Sequence, residues 1–372
     1  MIPVAVIGLG TMGLGIAQVF AAAGYRVLAT DSHAPARATA PDRLAATLAP
    51  RVEAGKLTPE DRDAILSRLT IVDSPEAMGA AALAIEAVIE QLPAKQSLFA
   101  ALEQVLPPDA LLATNTSSLS VAAMAAGLKH PDRLIGLHFF NPAPAMRLVE
   151  LVAHPGTAPQ ALATARSLMQ PTGKTLIDCP DRPGFIVNRC ARPFYGEALA
   201  LLEEGRSAGK IDAAMVAAGY RLGPFGLIDL IGADINLAAT EGLNRAMNGH
   251  PRYHVFDALR AQVASGHLGR KTGRGFVHPD PLPAPPPDAP AIALRIEATL
   301  ANEAAWLLTE GGTTRDGIDT ALKLGLNLPR GPFECLQTHG PATIAAELAR
   351  LERAAPPQLK TRYLPPPDGL PE

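Results

Sequence analysis

The stretch PVAVIGLGTMGLGIAQVF, residues 3–20, decides the fold. An apolar strand, Pro3 to Ile7, runs straight into Gly8-Leu9-Gly10-Thr11-Met12-Gly13, and the helical pattern IAQVFAAAG follows at once. In that strand-turn-helix setting a GxGxxG run predicts a dinucleotide site. Gly8 permits the tight turn, Gly10 lets the backbone approach a pyrophosphate, and Gly13 allows close packing of helix on strand. Thr11 and Met12 belong to the same turn and are counted with the cofactor-binding residues. A second strand, Arg26 to Thr30, ends on Asp31, at the spacing expected for the acid that binds the adenine ribose hydroxyls. The competing role for Asp31 is a helix cap or turn acid. A carboxylate there repels a 2'-phosphate, and Ser32, His33 and Ala34 offer no arginine to receive one, which favours NAD over NADP.

Working outward, short apolar runs alternate with helical patterns as far as residue 181: PVAVIG, YRVLAT, ALAIEAVI, ALLATNT, LIGLHFF and TLIDC. Such alternation predicts a Rossmann-type, doubly wound, largely parallel α/β sheet over residues 1–181. From Arg182 the strand-like runs fade and an all-α region follows, alanine- and leucine-rich. It contains an internal repeat: EALALLEEG, KIDAAM and LGPFGLID recur as EAAWLLTEG, GIDTAL and RGPFECLQ. The expected parts are a first helical domain, 182–277, a proline-rich interdomain linker, 278–290, a second helical repeat, 291–355, and a proline-rich tail, 356–372, read as disordered or loosely docked.

Composition excludes several classes. The formal charge of -3 and the lack of a lysine or arginine run give no electrostatic footprint for nucleic acid or an anionic membrane. No apolar stretch has the length of a membrane span, and the opening residues lack a basic start and a cleavage site, so a soluble, cytoplasmic protein is expected. Cys179, Cys190 and Cys335 lie far apart with no metal-ligand spacing, and no metal is expected.

Four polar clusters stand at strand or helix ends: Glu86 and Glu90 in IEAVIEQ, Asn115 to Ser118 in TNTSSLS, His138 in GLHFFNP, and Asn188 in GFIVNR. Ligands of open α/β sheets collect at the carboxyl ends of strands. Alcohol oxidation by NAD needs a base for the hydroxyl proton, and His138 is the best candidate, although a histidine beside two phenylalanines can equally be a packed structural residue. Glu150, in the apolar segment LVELV, is an acid in an unusual place; buried, it needs a partner, and orienting an imidazole would supply one. A surface position on an edge strand is its alternative. Ser117 and Asn188 offer neutral groups that could hold a substrate oxygen. Helix capping before SVAAMAA suits Ser118 or Ser120.

The motifs VIGLGTMG, IEAVIE, NTSSLS, GLHFFNPAPAMRLVEL, RPGFIVNR and LGPFGLIDLIG, in that order, resemble those of the L-3-hydroxyacyl-CoA dehydrogenase family over nearly the whole chain apart from linker and tail. The resemblance implies NAD as cofactor and reversible oxidation of an L-3-hydroxyacyl-CoA, with His138 as base, Glu150 as orienting acid, and Ser117 and Asn188 on the substrate oxygen. It further implies that Glu90 and Lys95 lie near the nicotinamide ribose and Asn115 beside the cofactor. Simple family members carry one helical domain and dimerise through it, so the second copy here is expected to stand in for a partner subunit, giving a monomer or a differently built homodimer. That copy has ALRIEATLANEA where GFIVNR would fall, so one active site per chain is expected. The loop with Arg270 and Lys271 resembles a family loop that could meet coenzyme A phosphates, or is a solvated basic turn. Association with other acyl-CoA enzymes would need separate chains. A dehydrogenase of a free hydroxy acid or sugar acid on the same fold, and a catalytically silent NAD-binding scaffold, are the rival readings.

Overall fold

The computed structural model describes residues 2–371, which divide after Arg182 into two compact units. The first unit holds eight strands: β1 (Pro3–Ile7), β2 (Arg26–Thr30), β3 (Leu69–Ile71), β4 (Leu83–Glu86), β5 (Leu111–Thr114), β6 (Leu134–Phe139), β7 (Leu148–Ala153) and β8 (Thr175–Pro180). They form one sheet in the order β3-β2-β1-β4-β5-β6-β7-β8. The chain reverses its direction of travel between β1 and β4, the position where doubly wound sheets open a crevice for ligands. Val4, Ala5 and Val6 of β1 are wholly buried, as a central parallel strand covered on both faces requires.

All the neighbouring pairs are parallel except β6 with β7. Only residues 140–147 connect those two strands, too few for the crossover that a parallel partner needs, so the chain must return antiparallel. The six apolar runs read as strands all form strands, and LVELV becomes β7. The short β3 was not anticipated: its three residues are only partly buried at the sheet edge, so its apolar signal is weak. Among the described residues no helix is long and apolar enough to cross a membrane.

The second unit is helical, and the repeat seen in the sequence is a repeat of structure. Helices Val187–Glu203, Ala208–Ala217, Pro224–Ile231 and Ala233–Ala246 correspond in order to Ala289–Thr309, Arg315–Leu326, Pro332–His339 and Pro341–Ala354. Asp212 accepts from the backbone amides of Phe225 and Gly226 in one copy, and Asp319 from those of Phe333 and Glu334 in the other. Both copies belong to one compact unit, so residues 278–290 join two halves of a shared body, and their last two residues already belong to helix Ala289–Thr309.

Reciprocal ion pairs lock the copies together. Arg189 reaches Glu303 at 2.7 Å and Glu310 at 2.6 Å, while Arg295, its counterpart, reaches Glu197 at 2.7 Å and Glu204 at 2.7 Å. Glu197 and Glu303 are fully buried, and each receives a further arginine and tyrosine. Arg252 and Tyr253 serve Glu303, at 3.0 and 2.6 Å; Arg362 and Tyr363 serve Glu197, each at 3.2 Å. This corrects the reading of the tail. Its composition is that of a loose segment, yet Arg362 and Tyr363 are buried because they are the second copy's equivalents of Arg252 and Tyr253. Substituting Arg362→Met should lower the free energy of unfolding by about 1–3 kcal/mol, and the loss should shrink when Glu197→Leu is added; denaturant melts of both variants check this.

Candidate active site

The nucleotide turn is built as its glycines demand. Gly8 has φ +98°, and a Cβ there would lie 2.4 Å from the Ala87 carbonyl oxygen; a Cβ on Gly13 would lie 1.8 Å from the carbonyl oxygen of Gly8. These two glycines are required by the protein's own packing. At Gly10, by contrast, a Cβ would meet nothing within 4 Å. Nothing in the fold asks for glycine at that position, so the space beside it suits a ligand that approaches the backbone closely. Gly10 caps helix Thr11–Ala22, where first-turn amides such as those of Thr11 and Met12 have no partner within the helix and favour an anion.

Asp31 stands just beyond β2 and is held by two amides, Leu9 N at 2.7 Å and His33 N at 2.8 Å. The first of these ties the acid to the glycine turn. Sequence reading missed Arg37, whose guanidinium folds back onto the Asp31 and Ser32 carbonyl oxygens. Arg43 likewise donates to the Leu9 and Ala36 carbonyls, each at 2.9 Å. A cavity of about 880 Å³ opens beside the turn, bordered by Thr11, Arg43, Thr47, Arg51, Lys56 and Asn141. Its basic border fits an anionic ligand.

The antiparallel register of β6 and β7 places His138 directly opposite Glu150. His138 Nδ1 lies 2.6 Å from Glu150 Oε2; the glutamate is fully buried and the histidine 6% exposed. The Phe140 ring packs 4.5 Å from the imidazole, centre to centre. An ionised Glu150 accepts the Nδ1 proton, which leaves Nε2 as the basic nitrogen of a neutral imidazole and steadies the imidazolium once a proton arrives. Glu150 is therefore not at the surface: it and His138 are one buried pair.

At the ends of β4 and β5 a second cluster forms. Asn115 accepts from the Phe139 amide at 2.8 Å, binding the end of β5 to β6 just past His138. Glu90 accepts from Thr116 Oγ1 at 2.6 Å, the Ser117 amide at 3.0 Å and Ser118 Oγ at 3.1 Å. Burial works to raise the Glu90 carboxyl, but Lys95 and these donors prevail and hold it below its usual range. Lys95, 1% exposed, lies 2.6 Å from Glu86 and 3.0 Å from Glu90. The cap of helix Val121–Ala125 is Ser120, which receives the Ala123 amide and leaves Ser117 outside that task. Asn188 belongs to the second unit, in the first turn of helix Val187–Glu203. On that unit the basic turn is tied down: Lys271 pairs with Asp234 at 2.6 Å.

Comparison with known proteins bears on both units. Residues 3–182 match the family model described as 3-hydroxyacyl-CoA dehydrogenase, NAD binding domain. Residues 184–278 and again 292–367 match the 3-hydroxyacyl-CoA dehydrogenase C-terminal domain. A 3-hydroxyadipyl-CoA dehydrogenase of Escherichia coli is 47% identical over 274 residues, which are 73% of this chain and 58% of that protein. The chain therefore spans less than two thirds of that relative's length. A probable 3-hydroxybutyryl-CoA dehydrogenase of Bacillus subtilis is 37% identical over 73% of this chain and 95% of its own. The crystal structure of a 3-hydroxybutyryl-CoA dehydrogenase from Escherichia coli superposes with a TM-score of 0.90 at 34% identity, covering 98% of this chain and 96% of that one.

The contrast between the glycines is testable. Gly10→Ala should leave the melting temperature within about 2 °C while weakening dinucleotide binding at least about tenfold; Gly13→Ala should lower the melting temperature outright. Thermal melts and dinucleotide titration of the two variants read the difference.

Proposed function

The chain belongs to the 3-hydroxyacyl-CoA dehydrogenase family, and from that premise we propose that it interconverts an L-3-hydroxyacyl-CoA and its 3-oxoacyl form with NAD, using His138 as the general base. The observation that carries the proposal is the buried His138–Glu150 pair at 2.6 Å, an imidazole oriented by a carboxylate at the carboxyl end of a strand.

The residues present fit NAD. The turn Gly8, Gly10, Thr11, Met12 and Gly13 would receive the pyrophosphate, and Asp31 the adenine ribose, while Glu90 in the loop after β4, Lys95 in the first turn of helix Leu92–Val105 and Asn115 just past β5 would frame the reactive end. When bound, NAD supplies the hydride acceptor. His138 Nε2 removes the C3 hydroxyl proton, and Glu150 stabilises the imidazolium through Nδ1; in the reverse direction His138 returns that proton. Ser117 holds the substrate oxygen with a group that does not titrate, and Asn188 is assigned the same task on the strength of its RPGFIVNR motif. The coenzyme A phosphates are assigned to the cavity bordered by Arg43, Arg51 and Lys56, which brings positive charge beside the Asn141-Pro142 loop that follows His138.

The test is NADH-dependent reduction of acetoacetyl-CoA, run beside free acetoacetate. Wild-type protein should turn over the thioester only, and Glu150→Gln should reduce kcat about a hundredfold or more with NADH affinity kept. In the same assay Arg51→Glu should raise KM for acetoacetyl-CoA about tenfold and leave that for acetoacetyl-pantetheine unchanged. NADH binding without turnover of any 3-oxoacyl thioester would refute the reading in favour of a silent scaffold.

The second helical copy is proposed to take the place of a partner subunit. Reciprocal contacts, Arg189 with Glu303 and Glu310 and Arg295 with Glu197 and Glu204, have the self-complementary form of a twofold interface. Light scattering should accordingly give a monomer, and a dimer dissociated by charge reversal at Arg189 would count against it.

A further inference from the structure

We propose that Glu86 is a positioning residue for the reaction: through Lys95 it fixes Glu90, and through Glu90 it fixes the turn that presents Ser117. The inference rests on the dehydrogenase reading in giving Ser117 a substrate to meet.

Glu86 is the last residue of β4 and is fully buried. A carboxylate in that position is costly unless donors surround it. Three donors from three separate segments do so: Lys95 Nζ at 2.6 Å from helix Leu92–Val105, Thr114 Oγ1 at 2.7 Å from the end of β5, and the Val88 amide at 2.7 Å from the loop between. Glu86 is thus the point at which the strand ends bordering the site are pinned to each other. Lys95 is shared: its other carboxylate is Glu90 Oε2 at 3.0 Å. The opposite oxygen of Glu90, Oε1, collects Thr116 Oγ1, the Ser117 amide and Ser118 Oγ. Thr116 Oγ1 then closes the turn by accepting from the Leu119 amide at 2.9 Å.

The chain of contacts therefore runs in one direction, from a wholly buried carboxylate to an exposed serine. Buried ion pairs are often replaceable by apolar side chains of similar size with little loss of stability, so the pairing of Glu86 with Lys95 is weak evidence of a stabilising role. What the pair does that apolar residues cannot is hold the Glu90 carboxylate in one rotamer. A catalytic or substrate-holding group displaced by an ångström loses rate steeply, so fixing the Ser117 turn bears directly on kcat.

The experiment uses the full chain, with Glu86→Gln and with the charge-balanced double variant Glu86→Gln/Lys95→Met, which removes the link to Glu90 without leaving a buried charge alone. Amide hydrogen exchange is followed by mass spectrometry over 115–119 and over β6 and β7. NADH affinity and acetoacetyl-CoA reduction are measured on the same samples, each with and without Ser117→Ala. Positioning predicts, in both variants, exchange at least about tenfold faster in 115–119 alone, kcat reduced about ten- to a hundredfold and no further loss on adding Ser117→Ala, with NADH affinity within about twofold in Glu86→Gln, which keeps Lys95. Exchange that is unchanged in the turn or that rises equally in β6 and β7, NADH affinity of Glu86→Gln falling in step with its kcat, or losses that multiply with Ser117→Ala would each overturn it. If wild-type protein does not reduce acetoacetyl-CoA, local loosening of the turn still supports the positioning and it is the substrate reading that falls.

Discussion

A carboxylate withdrawn from water must be met by donors, and the placement of five such groups organises this protein. Glu86, Glu150, Glu197, Glu297 and Glu303 are all fully buried. Each is answered from another segment of chain, and the answering residue is fixed by the encounter as firmly as the glutamate. In the first unit the donors are Lys95 and His138. Glu150 can sit in the middle of an apolar strand only because antiparallel pairing with β6 brings His138 across from it. The same pairing that gives the acid a partner orients the imidazole, so the stability of the strand pair and the geometry of the His138 ring have a common origin.

In the second unit the constraint is met by arginine. Arg189 and Arg252 pair with Glu303, and Arg295 and Arg362 with Glu197, each through Nε, with a tyrosine hydroxyl completing each set; the forked ends of Arg189 and Arg295 go on to Glu310 and Glu204. Glu297 departs from the pattern: it receives Tyr220, Arg330 and His339. By the repeat's register the first copy has Ala191 where the second has Glu297, so this cluster is particular to the second half of the unit. The two copies share their interlocking residues and differ in the residues around them.

The sequence was informative where chemistry and pattern coincide. The glycine turn, Asp31 and six of the strands follow from periodicity and spacing, because local conformation alone decides them. Glu150 was legible as an anomaly, an acid inside LVELV, and its partner followed from the need for one. The tail was misread because proline content describes the backbone's tendency and says nothing of Arg362 and Tyr363, whose partner Glu197 lies far away in sequence. Glu86 stood out in the sequence only as a polar group at a strand end, and Lys95 only through the family resemblance; the folded strand ends reveal that both are buried and joined. The edge strand β3 was lost for a simpler reason, a half-exposed face with little apolar signal.

Carrying both halves of the helical lock on one polypeptide changes what evolution can do with it. In a symmetric dimer every substitution occurs twice, so Asn188 and its twofold mate are necessarily the same residue. Here the equivalent of Asn188 is Leu294, while Arg189 and Arg295, the next residues along, are both retained. A mutation at Arg189 would likewise disturb one side of the lock and leave the Arg295 side whole. The duplication thus frees the second copy to drift, provided that the arginines and glutamates facing the first stay in place.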